Sequence, residues 1–287
     1  MGILFILKSY LDNILVYYLI GRVRTLYKAL FKGRPIINYR RTNMQNRYVA
    51  DVGDYGKYAL LRNISKTGML LGVNWYLTPD EKHNSDGKHT SYLYKDVYKD
   101  YDNELYCMLK DILDNNKRDV NSVQNAKILP SNTVFYDRVL DLSKEPDFMK
   151  RRMLRQSWHN EALRLLKDCN IVFLDPDNGL QVGSVSLTGN KGNKYIGMNE
   201  LKDYYKLGKS IVFYNHRERK QEKEYLNKFR KLHDDFMGCK WLGLKFIRGT
   251  IRDYIFILQP NHFYEVKKQC EILLNSAWKE NFSMLDL

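Results

Sequence analysis

The apolar positions of this chain fall into short runs of two periods, and from residue 48 onward those runs alternate between strand and helix. Tyr55 to Ser65 carries apolar residues at helical spacing just after the turn-prone Asp51-Val52-Gly53-Asp54. Met69 to Leu77 reads as a strand closed by Thr78 and Pro79. Glu104 to Asn115 and Met149 to Lys167, the latter bearing Trp158, read as helices, with a short strand at Thr133 to Tyr136 between them. Ile171 to Leu174 is apolar and partly β-branched, as suits a strand buried on both faces. A Gly- and Lys-rich loop, Gly183 to Lys194, leads to a helix near Asn199 to Lys206. The strand Ser210 to Tyr214 then delivers Asn215 and His216 at its carboxyl end. A charged helix at Lys220 to Asp235, paired strands at Trp241 to Ile247 and Tyr254 to Leu258, and a helix from His262 to Trp278 close the chain. Strands separated by helical crossovers predict an α/β domain with a mainly parallel sheet, and the late strand pair predicts its antiparallel edge.

Composition adds an appendage to this picture. A chain of 287 residues with 44% hydrophobic content can bury a full core in one large domain, placed at residues 44–287. Residues 1–43 differ: the apolar runs Gly2 to Leu7 and Ile14 to Ile20 are interrupted by Lys8, Ser9, Asp12 and Asn13. A spanning helix needs about 20 nearly uninterrupted apolar residues, and a secretory signal puts its charge before the apolar run. Neither pattern is met. Gly33, Pro35 and the Arg40-Arg41 pair read as a linker, which leaves an N-terminal helical arm with three readings. It lies on anionic lipid as an interfacial helix with a basic continuation, docks on the main domain, or is a non-native extension of a domain that begins at Met44.

Charge sharpens the choice of partner. The formal net charge is +14, and the arm supplies half of it through Lys8, Arg22, Arg24, Lys28, Lys32, Arg34, Arg40 and Arg41 against Asp12 alone. Such a balance favours anionic partners, nucleic acid first, with peripheral membrane contact through the arm as a second expectation. Cys107, Cys169, Cys239 and Cys270 are far apart and form no CxxC pair, so neither a disulfide framework nor a zinc ribbon is expected, and a reducing cytoplasm is the default compartment.

Candidate chemistry gathers where strands end. In Asn170 to Gly179 an apolar strand runs straight into Asp175, Pro176, Asp177 and Asn178. Ligands of open α/β sheets bind at such carboxyl ends, although the same residues also make good turns. Asp80, Glu81, His83, Asp86, Lys88 and His89 crowd the loop after the first strand, and His216, an acid–base candidate, ends a later one. In a parallel sheet these loops converge on one rim. Asp80, Asp86, His89, Asp175 and Asp177 form a candidate Mg²⁺ or Mn²⁺ ligand set, and Lys88, Lys191 or Lys194 could neutralise a phosphate in metal-assisted phosphodiester cleavage. The bland reading of that loop is a solvated surface. Tyr92, Tyr94, Tyr98 and Tyr101 interleave with Lys95 and Lys99, a pattern that suits base stacking and, equally, packing. Arg217 to Lys223, with Lys228, Arg230 and Lys231, is either a solvated helix face or a phosphate track.

The element order resembles that of class I S-adenosylmethionine-dependent methyltransferases. Within them it is most similar to the bacterial large-subunit ribosomal RNA adenine-N6 family: Asp54-Tyr55-Gly56-Lys57 resembles its early Asp-x-x-Lys helix, and Leu174-Asp175-Pro176-Asp177-Asn178 its tetrapeptide after the fourth strand. The chain also resembles a group of uncharacterised bacterial proteins sharing GDYGKY, WYLTPDE followed by DGKH, FLDPDNGL and VFYNH, across residues 47–282. The first resemblance implies S-adenosylmethionine as cofactor, contacted by Asp54, Lys57, Thr78 and Asp80, with Lys57 toward its carboxylate. It also implies a target amino group held by Asp175, Asp177 and Asn178. The chain departs from that family in two places. Asp177 and Asn178 stand where a second proline and an aromatic are expected, and Tyr76 to Glu81 has no glycine-rich turn. A metal-dependent nuclease and a catalytically silent nucleic-acid-binding protein are the alternative expectations.

Overall fold

A computed structural model describes residues 48–79 and 87–287. The arm at 1–43 and the loop residues Asp80, Glu81, His83 and Asp86 lie outside the described residues, so the expectations placed on them stay with the sequence. The central sheet has seven strands in the order β2-β1-β3-β6-β8-β7-β9. These are β1 (Leu71–Asn74), β2 (Val134–Tyr136), β3 (Ile171–Leu174), β6 (Ser210–His216), β7 (Lys240–Arg248), β8 (Thr250–Leu258) and β9 (Phe282–Met284). β2, β1, β3 and β6 run parallel, whereas β8 pairs antiparallel with both β6 and β7. The late strand pair therefore joins the sheet as expected, but it is not the edge: β9 adds on beside β7. A two-stranded parallel pair, β4 (Gly179–Leu180) and β5 (Tyr195–Ile196), forms a small separate sheet packed against the end of β6.

Seven α-helices accompany the strands among the described residues: α1 (Val52–Ser65), α2 (Asn103–Asp114), α3 (Val120–Asn125), α4 (Phe148–Leu165), α5 (Met198–Lys206), α6 (Glu222–Arg230) and α7 (Phe263–Leu274). No helix among the described residues is long and apolar enough to cross a membrane. Alternation along β3 sorts its side chains into two cores, as period-2 geometry requires. Ile171 and Phe173 join Tyr58, Val73, Val212 and Phe256 on one face, while Val172 and Leu174 join Trp158, Ile211, Phe213 and Tyr225 on the other. All four cysteines are free thiols.

Local chemistry sets where the elements at the site begin and stop. α1 starts at Val52, earlier than its apolar spacing suggests, because Asp51 caps it by accepting from the Gly53 and Asp54 amides at 2.8 and 2.9 Å. β1 covers only the middle of the run Met69 to Leu77, because the Asn74 side chain accepts from the Tyr76 amide at 3.1 Å and turns the chain away. Tyr76 consequently takes φ +48°, a left-handed conformation uncommon for a bulky residue.

Part of each of two surface expectations is taken up by contacts within the domain. Tyr92 and Tyr98 are buried in an aromatic cluster with Tyr55, Tyr106 and Trp278 and fill the core, whereas Tyr94 of the same group is exposed. The basic run after β6 is laced with ion pairs: Arg217 to Asp253 and Glu222, Lys220 to Glu218 and Glu224, Lys228 to Glu218. Arg217, Lys220 and Lys228, already on carboxylates, have little left to offer a phosphate.

Candidate functional site

The chain order reverses between β1 and β3: the crossover from β1 leads outward to β2, and β3 returns on the other side of β1. Beyond the carboxyl ends of strands at such a switch point lies the expected ligand crevice of an open α/β sheet. A cleft of about 490 Å³ opens there, lined by residues from the α1 start, the segment 87–89, the β3 end, the β6 end and the start of β8. That volume falls in the usual range for small-ligand sites.

At the floor of the cleft a buried lysine joins two carboxylates. The Lys57 ammonium lies 2.7 Å from Asp54 Oδ1 and 2.7 Å from Asp175 Oδ2, and it also sits over the rings of Tyr58 and Trp75 at 5.1 and 5.2 Å. Burial works against the lysine charge, but Asp175 and Asp54 outweigh it and hold the pKa well above the ordinary lysine value. Burial pushes Asp54 up to about 6, with Lys57 pulling it back down. Asp54 also accepts from the Ala50 amide and the Tyr58 hydroxyl, so its position is fixed from three sides. Asp175 extends the β1–β3 ladder by donating its amide to Asn74 O at 3.0 Å, and one carboxylate oxygen is committed to Lys57. Its other oxygen makes no hydrogen bond within the described residues and is left to the cleft.

The neighbouring loops are stitched to β3 by backbone bonds. The Asn178 amide donates to Lys194 O at 3.0 Å, and the His216 amide donates to Asn178 O at 3.3 Å. Gly179 has φ +92°, and a Cβ there would lie 2.3 Å from the Asn215 side-chain oxygen, so glycine is needed on both counts. Lys194 reaches Asp177 at 3.5 Å. Its loop is fastened by the buried Arg155, which holds Glu200 at 2.7 and 2.9 Å and the carbonyls of Gly192 and Tyr195 at 2.8 and 2.7 Å.

A second, smaller chamber of about 50 Å³ adjoins the lysine, lined among others by Asp54, Lys57, Trp75, Tyr76, Thr78 and Asp175. Trp75 Nε1 and Thr78 Oγ1 are buried here without a hydrogen-bond partner among the described residues. Native proteins rarely leave such groups unsatisfied, so a ligand atom or a water completing them is the expected state.

Of the residues that sequence reasoning singled out, the structure brings Asp54, Lys57, Lys88, His89, Asp175, Asp177, Asn178, Lys194 and His216 to the same cleft and Thr78 to the adjoining chamber, while Lys191 lines neither. The Lys57 ammonium is engaged by two protein carboxylates. Among the described residues no three His, Cys, Asp or Glu side chains form a metal-holding group, so His89, Asp175 and Asp177 do not make a ligand set by themselves. Sequence reasoning missed Asp51, Trp75, Tyr214, Arg252 and Tyr254. Period-2 alternation in β6 and β8 puts Tyr214 with His216 and Arg252 with Tyr254 on one face, but periodicity does not say which strands are neighbours.

No family model matches the chain, and no curated protein does. A crystal structure of a Legionella pneumophila protein described by the family model DUF519 is similar to it at 12% identity and TM-score 0.40, over 85% of this chain and 97% of that one.

Proposed function

We propose that the protein is a nucleic-acid-directed enzyme of the S-adenosylmethionine-dependent methyltransferase type, with its reacting centre at Asp175. The observation that carries the reading is the Asp54–Lys57–Asp175 group at the switch point, because it fixes one oxygen of Asp175 and leaves the other facing the cleft. The parallel strands β2-β1-β3-β6 followed by the antiparallel pair β8-β7 support it, since the sheet of the resembled superfamily ends in an antiparallel pair, although β9 extends this sheet beyond that pair. The chain lacks a glycine-rich turn after β1, but Tyr76 supplies a left-handed residue at that place. The unsatisfied Trp75 Nε1 and Thr78 Oγ1 offer partners for a polar group of a bound cofactor, so the donor set fits one.

When bound, the cofactor supplies an electrophilic methyl group. The residues of the chain do the rest. The free oxygen of Asp175 accepts a hydrogen bond from an amino group of the target, turning its lone pair toward the acceptor position, and Lys57 prevents the carboxylate from rotating. Asp177, near Lys194 at 3.5 Å, adds a second acceptor on the same rim. His216 has its pKa lowered by partial burial and by Arg252, so it is neutral at pH 7 and available as a proton acceptor. The expected net charge of +14 supplies the long-range attraction for a phosphate-rich substrate.

Calorimetric titration tests the reading. Saturable binding of S-adenosylmethionine is expected, with Mn²⁺ giving none, and Asp175→Asn should abolish methyl transfer to RNA or DNA while its thermal melt matches the parent. Saturation by Mn²⁺ without S-adenosylmethionine binding would replace this reading with metal-assisted phosphodiester cleavage, and binding of neither would favour a catalytically silent nucleic-acid-binding protein.

A further inference from the structure

The cleft holds a set of polar side chains that the Lys57–Asp175 pair does not use. Tyr214 and His216 share one face of β6, and the antiparallel register sets Tyr254 opposite Tyr214 and Arg252 opposite His216. All four line the cleft. Tyr254 is fully buried at 0% exposure, yet its hydroxyl has no hydrogen-bond partner among the described residues, and the same holds for Arg252 Nη1. Arg252 Nη2 is held on Asp51 at 3.0 Å, and the guanidinium also meets the Tyr214 hydroxyl. Buried donors without acceptors are rare and costly in native proteins, and two of them on one cleft wall mark a place for an acceptor-rich ligand group.

The helix beside them is shaped for this. A Cβ on Gly53 would fall 1.2 Å from Arg252 Nη1, so the guanidinium can lie against the first turn of α1 only because residue 53 has no side chain. Charge divides the cleft in the same sense. Near β3, Asp54, Asp175 and Asp177 face Lys57 and Lys194, an excess of carboxylate. Near β8, Asp51 is matched by Arg252 and by the helix amides it caps, while Lys88 stands exposed on the same cleft. A ligand with an amino group at one end and an anion at the other fits both halves.

We propose that Arg252 and Tyr254, flanked by Tyr214 and His216, form a phosphate subsite, so that the cleft takes a nucleotide with its base toward Asp175 and its phosphate toward β8. This rests on reading the Asp175 half as a nucleoside site, and the experiment separates the two. A free nucleotide and a nucleic-acid phosphodiester present the same group, and the arms of the test tell them apart.

The full chain is titrated with the four ribonucleosides, their 5′-monophosphates and a mixed-sequence single-stranded RNA pentamer. At least one monophosphate should bind about tenfold or more tightly than its nucleoside, the gain expected of hydrogen bonds to a charged group. Tyr254→Phe removes only the unpartnered hydroxyl, and Gly53→Ala displaces the guanidinium without removing its charge. Each should shrink that ratio to about twofold. A pentamer that binds more tightly than any monophosphate, with the same sensitivity to both variants, assigns the site to a chain phosphodiester; the reverse order assigns it to a free nucleotide. Nucleosides and monophosphates that bind alike overturn the phosphate subsite and leave the nucleoside reading standing. A ratio that survives in both variants places the phosphate elsewhere and also overturns it. If nothing in the panel binds, both readings fall.

Discussion

Asp54 is the residue whose protonation couples the site to the stability of the fold. Burial raises its pKa from 3.8 to about 6, even though Lys57 opposes the shift. A carboxyl group whose pKa is higher in the folded state binds its proton more tightly when folded. The stability it contributes is therefore fully present below the unfolded pKa and is lost as pH rises through the folded one. Relative to an Asp54→Asn variant, the parent protein should lose up to about 3 kcal/mol of unfolding free energy between roughly pH 4 and pH 6. Urea unfolding of both proteins at several pH values across that window measures it. Exposed pairs such as Lys99 with Asp96 and Lys110 with Asp114 lower the acid pKa instead, but they are present in both proteins and cancel in the difference. A pH-independent difference would mean that Lys57 alone sets the charge state of the group. Lys57 is the member that cannot be spared, since without it the Asp54 and Asp175 carboxylates would face each other with no cation between them.

At the scale of elements, the approach of α1 to the sheet is what brings Asp54 and Lys57 to the end of β3. Gly56 permits it: a Cβ there would stand 2.6 Å from the ring of Phe246 on β7, closer than van der Waals contact allows. Gly56→Val should destabilise the protein by about 1–3 kcal/mol through overpacking, although valine is the better helix former. Adding Phe246→Leu should return part of that loss, because neighbours that share a contact are not additive. Denaturant melts of the two single variants and the double variant test this, and strict additivity would show that the helix shifts without meeting Phe246. The order of strands and helices was legible because Ile171 to Leu174, Ser210 to Tyr214 and the late strand pair carry clear periods. What was not legible depends on contacts distant in sequence or on elements too short to show a period. Asn74 ends β1 through its side chain, β4 and β5 are two residues each, and β9 is recruited only once β7 exists. The site divides in the same way. The strand-end position of Asp175 and the Asp-x-x-Lys resemblance drew attention to Asp54, Lys57 and Asp175. Their union across 118 positions of sequence, and the arrival of Arg252 and Tyr254 beside His216, follow from register alone.

For the whole molecule, the charge distribution decides how a phosphate-rich partner would be met. Residues 1–43 hold half of the +14 net charge, and the remaining excess belongs to residues 44–287, where many of the basic side chains are paired, as around Glu218 and Glu222. A paired lysine gives up little on binding, whereas each unpaired cation brought to a phosphate releases a condensed counterion and steepens the dependence on salt. The described residues build two continuous cores on the faces of one sheet, which is what independent folding requires. A protein consisting of residues 44–287 should therefore melt in one cooperative step. It should bind nucleic acid more weakly than the full chain, and its plot of log affinity against log salt should be shallower, because the arm no longer contributes its cations. If anionic lipid is the arm's partner instead, removal of residues 1–43 should abolish sedimentation with anionic vesicles and leave both the nucleic-acid affinity and its salt slope unchanged. A truncated protein that fails to melt cooperatively would count against both, since the apolar run Gly2 to Ile20 would then be needed by the core.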